Sequence, residues 1–170
     1  MAARVAVRYG TVDTPLGGFT VFASDAGIVR TAFDDEDIDA VLDEVEHRVG
    51  RAARSPKAIA PPLTEIRSYF AREKRRLHTP VDLWWAREGF SRDVLRAAIR
   101  VPYGTLMTYG DLAAAAGRPR AHRAAGHAMR VCPIEIWIPC HRIVPAGPGL
   151  GSYGGHPERR EFLLRLERAI

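Results

Sequence analysis

The chain changes its hydrophobic period once, near Trp84–Gly89, and that change limits what it can fold into. Ahead of it lie short runs rich in Val, Thr, Phe and Tyr: Arg4–Thr11, Gly18–Ser24 and Gly27–Phe33. Thr14-Pro15-Leu16-Gly17-Gly18 and Asp25-Ala26-Gly27 separate them as turns, so the pattern predicts strands. The acidic patch Asp34–Asp37 then suits a helix N-terminus, and Ile38, Val41, Leu42, Val45 and Val49 recur at helical spacing. Residues 51–61 read as a linker. Residues 62–76 read as a second amphipathic helix, with Leu63, Ile66, Tyr69 and Phe70 inward and a solvated basic tail, and Thr79–Leu83 as an extended piece. Beyond the change the spacing is mainly helical, beginning with Phe90–Arg100, which Val101-Pro102-Tyr103-Gly104 ends. The expected division is an α/β domain of structural role over residues 1–84 and a second domain over residues 85–170.

At 170 residues, 46% apolar and 26% charged, the composition is that of a globular protein. No apolar run approaches the roughly 20 residues of a membrane helix, and Met1–Ala6 has no secretory character. A cytoplasmic protein with reduced thiols is therefore expected, although Cys132 and Cys140 are enough for one disulfide. The charge is uneven. Residues 1–90 hold 13 Lys+Arg against 14 Asp+Glu, whereas residues 91–170 hold 12 against 6. The excess reads either as a solvated surface in an arginine-rich chain or as a face for a polyanion.

Within the basic half, Thr108-Tyr109-Gly110-Asp111 fits a capping box opening a helix over Tyr109–Ala116, which Gly117 can close. Pro119 suits the first turn of a following helix, Pro119–Arg130. Two helices joined by about three residues make a helix-turn-helix. The second carries Arg118, Arg120, Arg123 and Arg130 among small residues that let its backbone approach something closely. A packed helix pair and a helix laid in a DNA groove both satisfy that pattern. Nine residues after Arg130, Pro139-Cys140-His141-Arg142 closes the apolar run Ile134–Ile138. A thiol beside an imidazole is a candidate nucleophile. Next to a DNA-reading helix it implies chemistry on a nucleotide turned out of the duplex.

These residues resemble the O6-alkylguanine-DNA alkyltransferases, the methylated-DNA–protein-cysteine methyltransferases. The resemblance runs from Phe90 to Glu167 through Val101-Pro102-Tyr103-Gly104, Thr108-Tyr109, the helix Arg123–Arg130, Ile138-Pro139-Cys140-His141-Arg142, Gly151-Ser152-Tyr153-Gly154-Gly155 and Arg160–Glu167. Thr14-Pro15-Leu16-Gly17 and Pro80-Val81-Asp82-Leu83 agree more loosely. It implies an α+β protein. The N-terminal part would be a ribonuclease H-like domain with a small antiparallel sheet, and the C-terminal part a mainly helical, winged-helix-like domain for DNA binding and alkyl transfer.

By the same resemblance, Cys140 takes the alkyl group from guanine O6, with O4-methylthymine a further substrate, and keeps it in a single turnover. His141 relays the thiol proton through a water, and Glu167 orients His141. Tyr109 helps rotate the phosphate and protonates the departing guanine, and Arg123 fills the gap in the duplex. Arg118, Arg120, Ala124, Gly126 and Arg130 would contact DNA, while Met129, Ile143, Tyr153, Gly154 and Gly155 would form the base pocket. No cofactor or metal is expected. The partner is double-stranded DNA carrying O6-alkylguanine, bound by a monomer, and no membrane is involved; cooperative binding along DNA stays open.

One position departs from the family, which has Asn eight residues before its reactive cysteine, where this chain has Cys132. A thiol is a weak donor and acceptor, so the turn ahead of Cys140 needs other hydrogen bonds or is looser. Cys132 itself reads as a buried, inert thiol. Two other functions are weighed. A lesion sensor that binds without transfer is the first, but such relatives lack the cysteine that is present here. A cysteine hydrolase is the second, and it leaves the basic helix without a role.

Overall fold

The computed structural model describes residues 5–170, so Arg4, where the first expected strand begins, lies outside the described residues. The fold is mixed α+β. Internal contacts divide it into one unit ending at Trp85 and a second, Ala86–Ile170.

The first unit is built on strands β1 (Val7–Thr14), β2 (Gly17–Ser24) and β3 (Gly27–Phe33). Helix α1 (Ile38–Arg48) follows, with Asp37 accepting from the amides of Asp39 and Ala40 as its cap. Next come β4 (Ala52–Arg54) and helix α2 (Ala60–Phe70). The sheet order is β3-β2-β1-β4. The first three strands are antiparallel hairpins and β4 lies parallel to β1, reached through α1 as a crossover. The expected antiparallel sheet therefore gains a parallel edge strand inside the segment read as a linker. Val7, Phe22 and Val29 pack with Val41 and Val45 of α1 and with Val49, which caps its C-terminus, in one core cluster. Helix α2 ends six residues before the expected 76. Arg72 turns the chain at φ 61°, and Lys74 folds back to within 3.5 Å of the buried Glu65 carboxylate.

The second unit contains α3 (Phe90–Ile99), β5 (Met107–Thr108), α4 (Tyr109–Ala115), α5 (His122–Arg130), β6 (Ile143–Val144) and α6 (Pro157–Leu166). Helices α3, α4 and α5 pack on one another, and β5 pairs parallel with β6. Thr108 caps α4 by accepting from the Asp111 amide at 3.1 Å, and its hydroxyl donates to the Asp111 carboxylate at 2.7 Å. Gly117 leaves α4 at φ +88°, a conformation that a side chain would strain. Helix α5 starts at His122, three residues later than expected, so Arg118, Pro119 and Arg120 belong to the connecting turn.

The apolar run Ile134–Ile138 is not a regular strand. Trp137 donates back to Glu135 O at 2.9 Å, and Ile136 sits at φ 73°, rare for a β-branched residue. The run is thus a tight knot of chain, nearly all buried. It delivers Cys140, His141 and Arg142 into a single 3-10 turn against α6.

Candidate active site

Cys140 is 1% exposed and His141 is fully buried. His141 Nε2 lies 2.7 Å from Glu167 Oε1, at the end of α6. Arg142 grips the same carboxylate with two bonds, Nε to Oε2 at 2.9 Å and Nη2 to Oε1 at 2.8 Å. The Gly104 amide adds a fourth donor at 3.0 Å. Arg142 also donates to Val101 O at 2.6 Å, so the turn, the α3–β5 connection and α6 are tied at one point.

The charges follow from these contacts. Burial alone raises the Glu167 pKa, but hydrogen bonds from His141 and Arg142 outweigh it and hold the carboxyl well below the usual range. Burial dominates at His141 and lowers its pKa despite Glu167, so the imidazole is neutral. A neutral imidazole that donates through Nε2 keeps its lone pair on Nδ1. Nδ1 is buried and has no hydrogen-bond partner. It is a buried ring nitrogen with the capacity to accept a proton.

A cavity of about 330 Å³ opens alongside, a size suited to a small ligand. Tyr109, Arg123, Gly126, Met129, Tyr153 and Gly154 line it. The Tyr109 ring stands over Gly126, where an added methyl would come only to van der Waals contact at 3.8 Å. Ile143 and Gly155, both expected in the pocket, do not line it; Ile143 is fully buried in β6. Arg123, Ala124, His127 and Arg130 are exposed on α5, while Ala125, Ala128 and Met129 are buried. Arg118 lies over the Phe90 ring at 5.2 Å, and it and Arg120 are exposed.

Cys132 corrects an expectation. It is half-buried rather than fully buried, and it is paired with Cys140 as a disulfide rather than free. Each sulfur also lies 3.3 Å from a carbonyl oxygen, Cys132 from Ile134 O and Cys140 from Ile138 O.

Residues 89–169 match the family described as "6-O-methylguanine DNA methyltransferase, DNA binding domain". Residues 7–83 match its "ribonuclease-like domain". A methylated-DNA–protein-cysteine methyltransferase of Mycolicibacterium paratuberculosis is 35% identical over 162 residues, covering 95% of this chain and 93% of the relative. The chain belongs to the methylated-DNA–protein-cysteine methyltransferase family. A constitutive enzyme of that name from Bacillus subtilis is 32% identical, covering 94% of each chain. Among solved structures, Mycobacterium tuberculosis OGT in complex with DNA superposes with a TM-score of 0.81 at 30% identity, covering 95% of this chain and 93% of that one.

Three side chains of this methyltransferase-family site were not singled out from the sequence. Arg142 is one. Arg160 is another: it is 2% exposed, donates to Leu150 O and, at 3.3 Å, to Cys140 O, and lies over the Tyr153 ring at 4.7 Å. Glu135 is the third, accepting from the Tyr153 hydroxyl at 3.1 Å. Burial first, and then the Glu135 carboxylate, raise the Tyr153 pKa well above its ordinary value, so the phenol keeps its proton. The only sequence signals were an arginine directly after Cys-His and an acidic residue inside an apolar run.

Proposed function

We propose that this protein repairs DNA directly, taking the alkyl group from O6-alkylguanine in a duplex onto Cys140 in one irreversible turnover. The observation that carries the reading is the buried His141–Glu167–Arg142 network next to Cys140, with Nδ1 of a neutral imidazole left open. With the thiol reduced, its proton passes through a bridging water to Nδ1. The thiolate then attacks the alkyl carbon, the C–S bond forms and the C–O6 bond breaks. Guanine leaves with the bonding electrons and takes up a proton, which Tyr109 delivers and His141 replaces. The product is an S-alkyl thioether, and nothing in the reaction returns the thiol.

Duplex DNA would lie along the exposed face of α5. Arg123 would enter the stack as the damaged base turns out, and Ala124 and Gly126 would permit close approach. Arg118, Arg120 and Arg130 would meet phosphates. Met129, Tyr153 and Gly154 would hold the base. The N-terminal unit would serve as a structural domain. A thiol that must be reduced to react and a DNA substrate support a cytoplasmic location for the reaction. Among the described residues no helix is long and apolar enough to cross a membrane.

Reduced protein incubated with duplex DNA carrying methyl-labelled O6-methylguanine tests this. The label should move to Cys140, reach one equivalent and vanish in Cys140→Ser. Tight binding without label would instead identify a lesion sensor, and release beyond one equivalent would end the single-turnover reading.

A further inference from the structure

Cys132 and Cys140 stand eight positions apart with Cα atoms 7.0 Å from each other, at the outer edge of what a disulfide spans. Three features make the pair more than two neighbouring thiols. Their sulfurs are joined in the structure. Each sulfur also has its own carbonyl at 3.3 Å, an acceptor within reach of each thiol once the pair is reduced. Their accessibilities differ, since Cys140 is 1% exposed and Cys132 is half-buried. A reagent from solvent meets Cys132 first.

We propose that Cys132 is a modification site, a resolving thiol that captures low-molecular-weight disulfides and passes the oxidation to Cys140, storing the nucleophile in a reversible form. In the first step the Cys132 thiolate attacks one sulfur of a disulfide such as oxidised glutathione, and one glutathione thiolate leaves. In the second, Cys140 loses its proton through a bridging water to His141 Nδ1 and attacks the Cys132 sulfur of the mixed disulfide, expelling the second glutathione thiolate. Two protein thiols lose two protons and two electrons, and the reagent disulfide becomes two thiols. Excess reduced thiol runs both steps backwards. Cys140 carries no thiolate while paired, so it cannot accept an alkyl group, nor can it climb to irreversibly oxidised sulfur acids. The effect on repair rests on Cys140 being the alkyl acceptor; the thiol chemistry does not.

The test separates the two. Reduced wild type, Cys132→Ala and Cys132→Ser are equilibrated in glutathione buffers of increasing oxidised fraction and quenched with iodoacetamide. Both cysteines fall in one tryptic peptide, Val131–Arg142, so the internal disulfide appears as that peptide two hydrogens lighter and unalkylated. Methyl transfer is measured in parallel. In wild type the internal disulfide should accumulate, transfer should fall in proportion to it, and dithiothreitol should restore both. The Cys132 variants should keep transferring in the same buffers. Two alkylated cysteines in wild type at every buffer composition would overturn the proposal, as would variants that lose transfer as readily as wild type. If no form transfers methyl, the proposed function fails and the peptide map still decides the thiol chemistry.

Discussion

His141 and Glu167 meet at 2.7 Å, Nε2 to Oε1, with neither side chain reaching solvent. The contact fixes which imidazole nitrogen holds the proton, and so which one can receive another. Arg142 completes it by balancing the carboxylate, with no further acceptor oxygen left over.

Removing that balance should be costly. In Glu167→Gln the Arg142 guanidinium is left buried without a counter-charge, a change that typically costs about 3–5 kcal/mol. Urea denaturation should show a loss of this size, with methyl transfer slowed far more than DNA binding. A variant as stable as wild type would show that Arg142 has found another partner.

Acid should weaken the fold in two stages. His141 is held below its ordinary 6.5, so it binds fewer protons folded than unfolded, and stability falls as the pH drops below 6.5. Glu167 is held below 4.5; its contribution is complete above that value and is lost as the pH falls towards its folded pKa. Denaturation of His141→Gln should be flatter than wild type between neutral pH and 4.5. Parallel curves would remove His141 as the source of the upper stage.

Duplex and free base should separate the arginines from the thiol. Arg123→Ala should weaken repair of duplex DNA much more than reaction with free O6-methylguanine. Arg120→Ala and Arg130→Ala should lower duplex affinity across sequences, each reducing the slope of log affinity against log salt by roughly 0.9. Equal losses of Arg123→Ala on both substrates would remove it from the duplex.

Arg160 predicts a different split. It bridges Cys140 O, Leu150 O and the Tyr153 ring, so it positions the nucleophile turn against the pocket loop. Arg160→Ala should slow single-turnover transfer while leaving the Kd for undamaged duplex unchanged, and Arg160→Lys should recover part of the rate. Loss of affinity in step with rate would make it a general structural residue.

Much of the frame was legible because it rests on local periodicity. The three hairpin strands, α1 with its Asp37 cap, and the Thr108 cap of α4 all follow from spacing and capping chemistry within a few residues. What escaped depends on contacts distant in sequence. Strand β4 is three residues long and mostly exposed, and it is a strand only because β1 lies beside it. Helix α2 stops where Arg72 turns, although the following lysine and arginines are good helix formers. Arginine is abundant in this chain and usually solvated, so nothing local marked Arg142 and Arg160 as buried. Ile134–Ile138 has the composition of a strand, but the left-handed Ile136 folds it into a knot. The Cys132–Cys140 pairing was missed because the prior for reduced thiols takes no account of where two sulfurs lie.

The four-fold grip on Glu167 also governs what a spent molecule looks like from outside. Both carboxylate oxygens are occupied, so in the proposed reaction a proton borrowed by His141 would have nowhere to settle and would return to the leaving base. When the reaction is over, arginine and glutamate still cancel and the imidazole is neutral again. The protein has exchanged one sulfur-bound hydrogen for a carbon. A used copy has lost a thiol that would otherwise ionise in the alkaline range. The two forms therefore carry equal charge at neutral pH, where their mass tells them apart, and diverge in charge only at alkaline pH.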